Sequence, residues 1–238
     1  MKSDKENKQE RLIDNSVQHE KIEPGKEEVK NDDEDEQIVG FNLKQKKQKV
    51  PEFLGIFPLS VEAIKDYTFE AITEKTKKYP EDLSLQTILK NFKLEKQPFK
   101  FVDNPHIVAL YIGKDKKILK TSSYREFPKN TQVEFKIIGH ILVPNKLMIA
   151  LCDYDSSVFN IENKYPHMIL MDGEWTAKES SQILKAIFEE NHKYKFQEFK
   201  LAGKLIDKME IDLFGKQETI YIASTFPSVG VLSETDSK

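Results

Sequence analysis

Two of the five histidines stand in near-copies of one short segment. Pro105-His106-Ile107-Val108-Ala109-Leu110-Tyr111-Ile112-Gly113 and Pro166-His167-Met168-Ile169-Leu170-Met171-Asp172-Gly173 each read as Pro-His, an apolar strand, then glycine. Side chains alternate along a strand, so His106, Val108 and Leu110 are expected on one face, and His167, Ile169 and Met171 on one face of the other. On neighbouring strands the two imidazoles would converge.

Other reactive side chains carry less. His140, in Ile138-Gly139-His140-Ile141-Leu142, is expected at a rim, while His19 and His192 have no partners at helical spacing. Cys152 ends an apolar run and reads as an inert core thiol; as the single cysteine it excludes a disulfide framework and a cysteine-rich zinc site. Trp175 reads as a packed aromatic. No metal site, cofactor motif, phosphate-cradling glycine loop or serine elbow emerges.

The elements that must position the histidines can be read from periodicity. Ser60 caps a run with Val61, Ile64, Tyr67, Thr68, Ala71 and Ile72 at helical spacing, ending near Tyr79-Pro80. A second helix is expected over about 82–93, on Leu85, Ile88, Leu89 and Phe92, so a helical hairpin is predicted. After Pro98 short apolar or alternating runs predict strands at 99–102, 106–112, 132–143, 146–152, 167–171, 198–206, 209–214 and 217–224. One more helix interrupts them, with Thr176 and Glu179 as a capping box and Ile183, Leu184, Ile187 and Phe188 as its buried stripe. The order predicts an α+β fold with mainly antiparallel sheets and outer helices, in two helix-and-strand halves.

Around this core the chain is highly charged. Lys+Arg 37 against Asp+Glu 40 gives a net charge of -3, so any attraction to nucleic acid must be local. Only Arg11 and Arg125 are arginines, which disfavours bidentate reading of bases. Residues 1–50 carry 13 acidic and 11 basic side chains and one aromatic, Phe41, the composition of a disordered tail. Within it, residues 37–43 form a short apolar patch expected to order only on a partner. Lys44, Lys46, Lys47 and Lys49, and a basic turn at Lys114, Lys116, Lys117 and Lys120, are the local clusters that could touch a phosphate backbone. No run approaches a membrane span and the first 30 residues lack a signal-peptide core, so an intracellular protein is expected, nuclear in preference to cytoplasmic.

The paired histidine segments resemble the His-x-Thr/Ser motifs of the two-histidine (LigT-like) phosphoesterase superfamily, nearest the phosphodiesterase domain of fungal-type tRNA ligases. The run from His167 through Gly173, Trp175 and Ser180-Ser181 is similar to that family's strand, turn and helix, and Val133 to Leu151, with Gly139, Pro144 and Lys146, is similar to its middle hairpin. The resemblance covers about 99–225. It implies a two-lobed sheet fold, a general base and general acid at His106 and His167, and hydroxyls two residues on that hold the phosphate of 2′,3′-cyclic or linear phosphodiesters. Those hydroxyl positions hold Val108 and Ile169 here. Losing one such donor typically costs about 10²–10³ in rate. Asp172 adds a carboxylate that repels phosphate further.

The resulting expectation is a tail (1–50), a helical hairpin (51–97), a degenerate phosphoesterase-like domain (98–226) and a C-terminal tail (227–238). Function is expected to be non-catalytic: an interaction or scaffold subunit of a larger complex that modifies or processes nucleic acid, such as a methyltransferase or RNA-repair assembly, bound to other protein subunits, without cofactor or membrane. Phe53, Phe57, Tyr67 and Phe69 are the expected partner surface, being more aromatic area than two short helices can hide. The alternatives are an active cyclic phosphodiesterase and a non-cleaving RNA-end-binding module.

Overall fold

The computed structural model describes residues 50–94, 96–191, 193–199 and 205–238, which belong to one compact unit, Gln48–Lys238. The lysines at 44, 46, 47 and 49, the 37–43 patch, His19 and His192 lie outside the described residues.

The strands are β1 (Phe53–Pro58), β2 (Lys100–Phe101), β3 (Ile107–Tyr111), β4 (Gln132–Val143), β5 (Leu147–Tyr154), β6 (His167–Asp172), β7 (Ile206–Leu213) and β8 (Lys216–Ser237). All pairings are antiparallel, in the order β1-β3-β6-β5-β4-β8-β7, and β1 also pairs with β8, so six strands close into a barrel. The helices are α1 (Val61–Lys78), α2 (Leu83–Asn91), α3 (Ser122–Arg125), α4 (Ala177–Lys185), which runs into a π turn at Ala186–Glu190, and α5 (Phe196–Phe199). The fold is α+β, with an antiparallel sheet and outer helices. The two halves appear as two hydrophobic cores that share one continuous sheet: α1 and α2 contribute to the first, with Tyr221 and Phe135, and α4 and α5 to the second, with Ile141 and Ile222.

Local chemistry sets the helix boundaries. Ser60 Oγ accepts from the Ala63 N–H at 3.1 Å, and Asp82 Oδ1 from Ser84 and Leu85, so both hairpin helices start on side-chain caps. Thr176 and Glu179 form the full capping box of α4. Three boundaries differ from the sequence reading. The hairpin segment opens with a strand, β1, because Leu54 and Ile56 point inward and are fully buried while Phe53 and Phe57 lie on the other face. The stretch after 226 is strand, not loop: Ser233 and Thr235 are fully buried there, their hydroxyls donating to the Val133 and Pro128 carbonyls. Of the expected strand at 198–206, the start belongs to α5 and β7 begins only at Ile206.

Among the described residues no helix is long and apolar enough to cross a membrane.

Candidate functional site

β3 and β6 are neighbours, with Ile107 opposite Met168, so the two motif segments do meet. His106, Val108, His167 and Ile169 all line one cleft of about 630 Å³, closed on one side by Ala177, Lys178 and Ser180 of α4. The size suits a small ligand or a few side chains.

Simple alternation does not hold along either strand. Opposite β1, Leu54 faces Leu110 and Gly55 faces Val108, leaving Ala109 unpaired; opposite β5, Met148 faces Met171 and Ile149 faces Ile169, leaving Leu170 unpaired. Each strand thus carries a β-bulge at the same place, three residues after its histidine. The unpaired carbonyls are satisfied from outside the strand pair: Ala109 O accepts from the Glu162 N–H and Leu170 O from the Val102 N–H, both at 3.0 Å. The bulges turn Leu110 and Met171 into the core, correcting their expected place beside the histidines. In their stead Tyr111 and Asp172 face the cleft. Sequence reasoning missed Tyr111; the matched positions of Tyr111 and Asp172 in the two segments were the available signal.

The histidines are not paired with each other. His106 Nδ1 lies 2.8 Å from the Asn104 carbonyl, which only accepts, so the proton is on Nδ1 and Nε2 is an acceptor. Its ring packs against both Phe53 (centroids 4.7 Å, interplanar 8°) and Phe57 (5.3 Å, 26°), whose own centroids are 6.3 Å apart, so the three rings form one cluster. Burial and, to a lesser degree, the charge of Lys238 push its pKa below the ordinary histidine value, although the Asn104 bond acts the other way.

His167 is a clamp. Its Nδ1–H donates to the Tyr165 carbonyl at 2.7 Å and its Nε2 lies 2.8 Å from Ser180 Oγ on α4. The Ser180 hydroxyl also lies 2.7 Å from the Ala177 carbonyl, and having one proton it serves one acceptor at a time. Burial lowers the His167 pKa, favouring the neutral ring, whose Nε2 then accepts from Ser180. Both ring nitrogens are committed within the fold, one to the chain before β6 and one to the helix after it.

The charges in the cleft are mixed. Glu52 and Asp172 contribute carboxylates and Lys178 an ammonium, which also lies near Glu179. Lys114, Lys116, Lys117 and Lys120 are exposed around the turn Ile118–Lys120 and do not line the cleft. The four aromatics expected to form a partner surface are each half-buried, and Phe53 also lines the cleft. Phe53 and Phe57 cluster with His106; Phe69 packs on Phe92 (5.5 Å); the Tyr67 hydroxyl lies 2.9 Å from His140 Nδ1. Contacts to the barrel, and not only to the two helices, cover part of these rings.

His140 is not at a rim. It is 4 % exposed, against α1, and among the described residues its Nε2 has no hydrogen-bond partner. Cys152 is fully buried and its thiol pKa is pushed up by desolvation. Trp175 packs edge-on against Phe214 (5.0 Å, 82°), with the Lys146 amine 4.8 Å from its ring centre. Among the described residues no group of three metal-ligating side chains forms.

The loop that carries Asp172 to α4 is held by close backbone approach. A Cβ at Gly173 would meet the Asn145 carbonyl oxygen at 2.3 Å and the Phe99 ring at 2.9 Å. Gly173→Ala is expected to lower stability by roughly 2 kcal/mol or more, measured by denaturant unfolding; an unchanged midpoint would contradict this packing.

No family model matches this chain, and no curated protein matches it. Among solved structures, a crystal structure of a fungal RNA kinase is similar over 79 % of this chain and 46 % of that one, with a TM-score of 0.45 and 13 % identity. The chain thus spans less than half the length of that kinase.

Proposed function

We propose that this chain is a non-catalytic interaction subunit of an assembly that processes or modifies nucleic acid, built on a degenerate two-histidine phosphoesterase-like fold. The observation that carries the non-catalytic part is the tie on His167: Nδ1–H is bonded to Tyr165 O, and Nε2, the nitrogen that would face a substrate, meets Ser180 Oγ of α4 instead. The apolar side chains of Val108 and Ile169 support the same reading, because neither can donate to a phosphate oxygen in the cleft they line. The nucleic-acid part rests on the motif resemblance alone, since fold does not fix function.

The test is turnover. Incubated with a 2′,3′-cyclic nucleotide or a cyclic-phosphate RNA end, the full chain is expected to give no product above a buffer blank. Hydrolysis that is abolished in both His106→Ala and His167→Ala would overturn the reading. Its positive counterpart is mild affinity purification, where other protein subunits should co-elute in fixed proportion.

A further inference from the structure

We infer that the segment between β3 and β4 binds single-stranded nucleic acid, with its basic side chains on the phosphates and the Tyr111 ring against a base. This rests on the nucleic-acid reading above and gives it a surface outside the cleft.

Residues 51–238 carry 26 basic and 27 acidic side chains, so as a whole they neither attract nor repel a polyanion strongly. Residues 114–129 depart from that balance, with six basic side chains against Asp115 and Glu126. Lys114, Lys116, Lys117, Lys120, Arg125 and Lys129 are all exposed, and among the described residues none of them is in an ion pair. Lys146, Lys164, Lys193 and Lys208, by contrast, each sit on a carboxylate. Cations without such a partner are free to take the place of the counterions condensed on a phosphate backbone.

The segment holds these charges on a fixed frame. Backbone N–H groups of Asp115, Ile118, Lys120 and Thr121 donate to the carbonyls three residues before them, at 3.0–3.2 Å, and Asp115 Oδ1 accepts from the Lys117 N–H at 2.9 Å. Ile112 and Phe127 are buried at either end, and Ile118, Leu119 and Tyr124 pack on the first core between them. Apolar side chains therefore anchor the segment while the basic ones stay in solvent, and little backbone ordering is left to oppose binding.

Tyr111 supplies the second kind of contact. It is 62 % exposed, and its ring lies over the start of the basic turn, where a Cβ on Gly113 would stand 2.8 Å from a ring carbon. An exposed aromatic beside unpaired cations is the combination that holds unstacked bases without reading their sequence. A duplex keeps its bases stacked on each other and gains nothing from that ring.

The test is fluorescence anisotropy of labelled oligouridylate, oligothymidylate and a DNA duplex of the same length with the full chain. Both single strands are expected to bind more tightly than the duplex and to lose affinity about 20- to 50-fold between 50 and 200 mM salt, the dependence of about three to four phosphate contacts. Changing Lys114, Lys116, Lys117 and Lys120 together to glutamine should weaken binding and flatten that dependence. Tyr111→Ala should weaken binding about fivefold or more at an unchanged salt dependence, and Tyr111→Phe should restore it.

No binding at 50 mM salt, a duplex bound as tightly as the single strands, or a loss caused instead by glutamine at Lys44, Lys46, Lys47 and Lys49 would each overturn the inference. So would equally tight, equally lysine-dependent capture by phosphatidylserine vesicles. If the single strands fail to bind and cyclic-nucleotide turnover is absent, the non-catalytic reading stands without this surface; turnover lost in both His106→Ala and His167→Ala removes that reading whatever the segment binds.

Discussion

Replacing Lys75 with methionine is expected to raise the stability of the chain by about 1–3 kcal/mol, or roughly 2–10 °C in melting temperature. Lys75 lies on the inward stripe of α1 with Ile64, Thr68, Ala71 and Ile72, fully buried, and among the described residues its Nζ has no hydrogen-bond partner. Burial without an acceptor disfavours the ammonium. The amine pKa is lowered to about 7 by desolvation, with Glu74 only partly offsetting it.

The sign follows from linkage. Between pH 7 and 10.5 the unfolded chain holds a proton on this amine that the folded chain does not, so wild-type stability rises with pH across that window. Methionine keeps the volume and helix propensity and removes the desolvated amine. Its advantage should be largest at and below pH 7 and shrink towards pH 10.5. Urea unfolding of both proteins at pH 6.5 and 9.5 decides this. A methionine variant that is less stable than wild type, or a gain independent of pH, would mean that Lys75 has a stabilising partner.

His167→Ala is expected to cost about 1–3 kcal/mol of stability, because it cuts the tie between the chain before β6 and α4 and leaves the Tyr165 carbonyl without its imidazole donor. His106→Ala should cost less, since its ring is half-buried and held by one hydrogen bond and two stacked rings. A catalytic pair would behave otherwise, with both substitutions abolishing activity and neither needed for folding.

The pH dependence follows the same logic. The folded-state pKa of His167 lies below its ordinary 6.5, so as pH falls through 6.5 the unfolded chain takes up the proton first. Stability contributed by the neutral clamp therefore declines from about pH 6.5 downward and levels off below the folded pKa. In His167→Gln that slope should become shallower, leaving the share contributed by His106, whose pKa is also lowered by burial. Thermal melts between pH 5 and 7.5 read it, and a wild-type melting temperature for His167→Ala would remove the clamp from the description.

Much of this was legible in the residues. The helix starts at Ser60 and Thr176 and the 132–152 hairpin follow local rules that tertiary packing did not override. So did the pairing of the strands that carry His106 and His167, because two Pro-His-apolar-Gly segments of similar length are a long-range signal carried by short-range pattern.

What was not legible arose where polarity and period part company. The last half of β8 buries Ser233 and Thr235, whose hydroxyls bond to backbone, so its inward face does not look hydrophobic. β1 has a glycine between two buried aliphatics, flanked by Phe53 and Phe57, which suits a strand only once both rings pack with His106. The bulges at Ala109 and Leu170 leave no mark in composition, yet they exchange Leu110 and Met171 for Tyr111 and Asp172 in the cleft. Burial of His140 depends on α1 crossing its strand, with Tyr67 reaching a residue 73 positions away.

The most direct test of whether the cleft is chemically disarmed is the protonation state of its two histidines, read by long-range ¹H–¹⁵N correlation spectra. Both rings should be neutral Nδ1–H tautomers at pH 7, with Nε2 unprotonated and unmoved by saturating uridine monophosphate. An Nε2–H or imidazolium signal from either residue that responds to the nucleotide would contradict it, and would place the pair back in proton transfer.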